Sequence, residues 1–154
     1  MTASVANAGV IRPPLVVLAS LLSGAVLTVA WPIPFFPRVL SLPVGGLLVA
    51  MAAALFSYSI RQFRTVGTPV PANKPTTAIA RTGPYRFSRN PIYLAFFALQ
   101  LGLAISVNSL WLVATLIPAV AIIAVVVVPR EERYLTGRFG AEYLKYKTSV
   151  RRWL

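Results

Sequence analysis

The chain contains no cysteine, no histidine and only three acidic residues among 154. Without cysteine there is no disulfide, no thiolate nucleophile and no cysteine-based metal site. Without histidine, the commonest general base and metal ligand near neutral pH is missing. Any chemistry must rest on Glu, Tyr, Arg, backbone groups or a cofactor. Charge is scarce altogether: 12% of residues are charged and 57% are hydrophobic, against about 25% and about 45–50% in soluble domains. With a mean hydropathy of +0.74, so short a chain carries more apolar surface than one soluble core can hide. That excludes an ordinary soluble globule, and also a disordered tail, whose composition is the reverse.

What charge there is has one sign: 15 Lys and Arg against three acids, a net charge of +12. In a soluble chain this would point to nucleic acid. In an apolar one it points to basic cytoplasmic loops beside anionic lipid, and nucleic acid is not expected as a partner. Four apolar stretches predict an all-α polytopic membrane protein, one domain over 1–154, with helices at about 13–31, 39–60, 90–107 and 110–128. A loop at 61–89 and an amphipathic helical tail at 129–154 complete it. The first stretch reads as a retained helix, since its apolar region is too long for a signal peptide. Asn90 before Pro91 has the form of an N-cap followed by proline at the first helical position. Asn108 and Ser109 mark a turn between antiparallel helices, and Pro118 predicts a kink. Gly45, Gly46 and the alanines that follow permit close helix packing. With four spans, every Lys and Arg except Arg38 falls on one face, so both termini are expected in the cytoplasm.

Two polar segments on that face stand out. Residues 83–93 read GPYRFSRNPIY, crowding Tyr85, Arg86, Arg89 and Tyr93 at the mouth of the third helix. A helix N-terminus there offers unpaired N–H groups to a carboxylate or phosphate; a basic juxtamembrane loop anchored by interfacial aromatics explains the same residues equally well. Residues 131–146 read EERYLTGRFGAEYLKY and place two of the three acids, Glu131 and Glu132, side by side. They serve either as dipole-favoured acids in the first turn of a new helix after Pro129 or as a carboxylate pair gripping a ligand. Arg138, Glu142 and Lys145 read as a solvated face with helical charge pairs. Tyr134, Phe139, Tyr143 and Tyr146 read mainly as aromatics that seat the tail helix on the membrane interface or the bundle, with flanking a planar ligand as the alternative for some. There is no Walker loop, no dinucleotide glycine pattern and no metal-ligand cluster, so no metal is expected.

In order, the two segments resemble the isoprenylcysteine carboxyl methyltransferase and phospholipid N-methyltransferase superfamily. Its pattern is G-P-Y-R-x-x-R-H-P-x-Y, a helical hairpin, then E-E-x-x-L-x-x-x-F-G-x-E-Y-x-x-Y, and VRRW at 150–153 is similar to its V-P-R-[WF] ending. The resemblance spans Gly83 onward. It implies an integral membrane methyltransferase that binds S-adenosylmethionine at the cytoplasmic mouth, releases S-adenosylhomocysteine and takes lipophilic or lipidated substrates from the bilayer. Tyr85, Arg89, Asn90, Pro91 and Tyr93 map to its first cofactor segment and Glu131 and Glu132 to its second. Arg152 maps to an arginine that orients the substrate. Asn90 stands where the pattern has histidine, and asparagine can hydrogen-bond but cannot act as a base.

Methyl transfer from a sulfonium asks the protein mainly for alignment and desolvation. A carboxylate acceptor needs no base, so a histidine-free site fits carboxylate O-methylation slightly better than N- or S-methylation. Glu131 or Glu132 could still serve as base if burial raised its pKa. Competing readings are a non-catalytic membrane interaction protein of the same fold and an NADPH-dependent reductase relative. The reductase pattern has Asn after its proline, where this chain has Ile92. A small multidrug transporter would carry an acid within a span.

Overall fold

Prolines and glycines set the boundaries of the helices. In the computed structural model, which describes residues 12–67 and 76–154, α1 runs Pro13–Ala30 and starts on two prolines pre-set for a first turn. α2 (Arg38–Thr65) follows Pro37 and is five residues longer at its end than the apolar pattern suggests, stopping ahead of Gly67 with φ 68°. A 3₁₀ turn, Gly83–Arg86, leads to α3 (Pro91–Ser106) and α4 (Leu110–Ile122). A π-helical turn, Ile123–Val127, joins α4 to α5 (Val128–Phe139), and α6 (Ala141–Ser149) comes after Gly140 with φ 52°. No strand occurs among the described residues. Lys74 and the rest of residues 68–75 in the expected 61–89 loop lie outside them, as does the N-terminal segment before Arg12.

Three helices are long and apolar enough to cross a membrane: Pro13–Ala30, Arg38–Thr65 and Leu110–Phe139. α3 is apolar but shorter, at 16 residues. The acids after Pro129 do not begin a new helix, because α4, the π turn and α5 form one continuous rod. The helix also runs through Pro118 and departs from α geometry only at Ile123–Val127. Pro129 explains the position. Its ring would strike the carbonyl four residues earlier, that of Val125, and the wider turn relieves the clash.

α1 packs on α4, α4 on α3 and α3 on α2, while α1 and α2 share no extended interface. The α2–α3 contact needs small residues. A Cβ on Gly45 would lie 2.5 Å from Ser106 N and 2.6 Å from Gly102 O, whereas one on Gly46 meets nothing within 4 Å. Only the first half of the glycine pair therefore packs against the bundle. Gln100 is fully buried in α3; its Nε2 donates to Ser20 Oγ at 2.7 Å and to Leu112 O at 3.0 Å, tying α1, α3 and α4 together. Such hydrogen bonds hold apolar helices together where lipid competes equally for their packing surfaces. Asn108, at φ 53°, closes the α3–α4 turn. Its Oδ1 accepts from the Phe35 and Phe36 N–H groups at 2.9 and 2.8 Å, binding the α1–α2 connection to the hairpin. Large exposed side chains such as Val29, Leu42 and Val125 form the lipid-facing surface.

Gly45→Leu is expected to destabilise the detergent-purified protein by about 1–3 kcal/mol through overpacking. Gly46→Leu should stay within about 0.5 kcal/mol of wild type. Thermal unfolding of the pair checks the difference.

Candidate cofactor and substrate site

One cavity of about 400 Å³ lies at the end of the bundle where the 83–93 segment meets α5 and α6. Its volume falls in the range of small-molecule sites, about 300–1,000 Å³. Pro13 and Pro14 of α1, Phe56, Ile60 and Phe63 of α2, and Ile92 and Phe96 of α3 give it an apolar wall. Tyr85, Arg89, Asn90, Pro91 and Tyr93 meet Glu131, Glu132, Tyr143 and Tyr146 on the other side. Residues about 40 positions apart in sequence thus share one wall. The π turn contributes by rotating α5 about 100° relative to its place in an uninterrupted α-helix.

Glu132 is the electrostatic centre. Its side chain is 8% exposed and faces Arg89 (Nη1–Oε1 2.9 Å), Lys147 (Nζ–Oε2 3.2 Å) and Arg152. Arg152 grips it with two bonds, Nε–Oε1 at 3.0 Å and Nη2–Oε2 at 2.9 Å. Burial alone would raise the Glu132 pKa, but the Arg152 hydrogen bonds, the Arg89 charge and Lys147 outweigh it, so the carboxyl is held below its ordinary value. The condition for Glu132 to act as a base, a raised pKa, is therefore not met. Arg152 is in turn held above its ordinary value, chiefly by its hydrogen bonds to Glu132. Arg152 does not line the cavity; it supports Glu132 from behind.

Glu131 faces the same cavity and accepts a 2.6 Å hydrogen bond from the Tyr93 hydroxyl. Tyr85 stacks on Phe63, with ring centroids 5.1 Å apart and planes 18° from parallel. The Tyr146 hydroxyl donates to Tyr85 O at 2.7 Å, so α6 closes over the 3₁₀ turn. Burial, with Tyr146 and Glu131 behind it, raises the Tyr85 hydroxyl far above its ordinary pKa and keeps it a donor. That hydroxyl and Arg89 Nε are buried with no hydrogen-bond partner among the described residues. A buried orphan donor costs about 1–3 kcal/mol, so two of them on one cavity wall fit a polar ligand that satisfies them.

Asn90 behaves differently from the expected cap. Its side chain makes no bond to the first turn of α3. Instead Nδ2 donates to Arg152 O at 3.0 Å, the only arrangement a carbonyl neighbour allows. The expected helical charge pairs of the tail are also replaced: Glu142 pairs with Arg81 at 2.7 Å, and Arg138 donates to Thr76 O. Of the two seats expected for the tail aromatics, Tyr143 and Tyr146 take the bundle, buried on the cavity wall. Phe56, Phe96 and Lys147 carry no signal in the sequence, because nothing in an apolar run distinguishes a cavity-lining aromatic from a lipid-facing one, or in a basic tail one lysine from the rest; Phe63 falls in the expected 61–89 loop, beyond the apolar run that α2 extends. Among the described residues no group of three or more metal-ligating side chains comes together.

A family model described as phospholipid methyltransferase matches residues 40–142. That segment contains α3, most of α2, both carboxylates and the 83–93 segment, and stops short of Tyr146, Lys147 and Arg152. An uncharacterized protein of Haemophilus influenzae is 59% identical over 27 residues, 18% of this chain. The chain spans 43% of the length of that curated relative. No solved structure matches.

Glu132→Gln is expected to destabilise the fold by about 1–3 kcal/mol, because it strands the buried Arg89 guanidinium while the more exposed Lys147 and Arg152 stay solvated. In wild type, the Glu132 contribution is fully present above the ordinary glutamate pKa of about 4.3 and is lost as pH falls through the lower folded value. Thermal unfolding should therefore show a stability loss below about pH 4 in wild type that Glu132→Gln lacks.

Proposed function

Since the chain belongs to the phospholipid methyltransferase family, a family of integral membrane methyltransferases, we propose that it transfers a methyl group from S-adenosylmethionine to a lipophilic or amphiphilic acceptor. The observation that carries this reading is the convergence of the two polar segments on one cavity with orphaned donors at Tyr85 and Arg89. S-adenosylmethionine supplies an electrophilic methyl group on a sulfonium. Arg89 offers a buried guanidinium to its carboxylate, and Glu131 and Glu132 offer anionic partners to its amino group. Tyr85 donates a hydrogen bond from the stacked wall, while Asn90, Pro91 and Tyr93 shape the mouth of α3. The apolar wall of Phe56, Ile60 and Phe96 excludes water and receives the hydrophobic part of the acceptor. Arg152 holds Glu132 and reaches the substrate only through it.

Histidine, the commonest base near neutral pH, is absent from this wall. Glu132 is held ionised by three cations. The site suits an acceptor that is nucleophilic without losing a proton, which favours a carboxylate. The family description favours a phospholipid amine as the second reading. The membrane arrangement that goes with either is one domain of four spans, α3 crossing as the shortest. Both termini and the cavity then face the basic, cytoplasmic side.

Equilibrium titration of the detergent-purified, lipid-supplemented protein with S-adenosylhomocysteine should give micromolar binding, weakened at least tenfold by Arg89→Ala and by Glu131→Gln. Labelled methyl transfer should then appear in a fatty acid or in phosphatidylethanolamine, and the acceptor that is labelled decides between the two chemistries. Absence of binding to folded wild type would remove the enzyme reading in favour of a membrane interaction protein of this fold.

A further inference from the structure

The segment after α6 is fastened to the mouth of α3 by a set of bonds that cofactor binding does not require. The Arg89 N–H donates to Arg151 O at 3.0 Å. Asn90 Nδ2 and Ser88 Oγ both donate to Arg152 O, at 3.0 and 3.3 Å. Ser88 Oγ also accepts the Asn90 N–H at 3.1 Å, which fixes the side chain that shares its acceptor. Beyond this point the Trp153 ring packs on Phe97 of α3, with centroids 5.9 Å apart. The backbone of residues 151–153 is thus held from one side while the Arg152 side chain holds Glu132 from the other.

We propose that Asn90 is a positioning residue acting through Arg152: its amide latches the strap formed by residues 150–154, so that the Arg152 guanidinium keeps Glu132 against the cavity. The position then demands a hydrogen-bond donor and not a base. Asparagine meets that demand, because its Nδ2 lies at nearly the same reach from the backbone as Nδ1 of a histidine. This accounts for asparagine where the resembled pattern has histidine. It also accounts for Arg152 being outside the cavity yet bonded to its central carboxylate. A displaced strap would remove both hydrogen bonds from Arg152 and leave Glu132 held by Arg89 and by Lys147 alone, the latter partly exposed.

The proposal rests on the cofactor reading only for its binding arm. The test compares the full chain with Asn90→Ala and Asn90→His in lipid nanodiscs. Limited trypsin digestion, followed by mass spectrometry, reads the rate of cleavage after Arg151 and Arg152, and titration reads S-adenosylhomocysteine affinity. Asn90→Ala should speed cleavage several-fold and weaken binding about five- to tenfold, the effect of one lost hydrogen bond. Asn90→His should restore both. Weaker binding in Asn90→Ala with wild-type cleavage would mean that Asn90 touches the ligand itself, and overturns the proposal. Faster cleavage with unchanged affinity would show a latch that positions nothing, and overturns it as well, as does failure of Asn90→His to restore either property. If wild type binds no S-adenosylhomocysteine, the cofactor reading fails; equal cleavage of wild type and Asn90→Ala would then refute the latch separately.

Discussion

Glu132 is one carboxylate answering three cations that arrive from three parts of the chain. Arg89 comes from the loop before α3, Lys147 from α6 and Arg152 from the strap beyond it. Removing a carboxylate and a guanidinium from water is expensive, and a partly buried pair repays that cost only with well-aligned bonds. Here two bonds from Arg152 and the close approach of Arg89 supply them. In a chain with three acids and 15 basic residues, Glu132 is the acid that meets all three of these cations. The cavity wall is organised around it, because Arg89, Glu132 and Tyr143 all line it.

The membrane-embedded part solves a different problem. Lipid competes equally for apolar packing surfaces, so the helices associate through close backbone approach and polar contacts. Gly45 against Gly102 gives the first, and Gln100 with Ser20 and Leu112 O gives the second. The α3–α4 turn is tied by Asn108 to the Phe35–Phe36 backbone. The hairpin is therefore held at its turn and along the adjoining half of α3. Such a hairpin can carry the polar segments before α3 and after α4 to one place.

How much of this is legible in the sequence depends on the physics of each feature. Apolar runs and bounding prolines reveal the helices to within about five residues, and the two motif segments name the polar residues of the cavity wall apart from Thr76. Side-chain partners across the fold are another matter. Asn90 has the form of a cap, yet a carbonyl 62 residues away claims its amide. Glu142 has an i,i+3 neighbour of opposite sign, yet pairs with Arg81 from another segment. The π turn at Ile123–Val127 leaves no mark in composition beyond Pro129, and Gln100 reads as a lone polar residue in an apolar run. Each depends on what the tertiary structure brings near.

The most direct test of the Glu132 hub is a double-mutant cycle on stability with Glu132→Gln and Arg152→Met. If the two side chains act as a unit, the double variant will cost about as much as the worse single one, leaving a coupling of about 1–3 kcal/mol. Additive losses within about 0.5 kcal/mol would contradict the account, since Arg152 and Glu132 would then contribute independently.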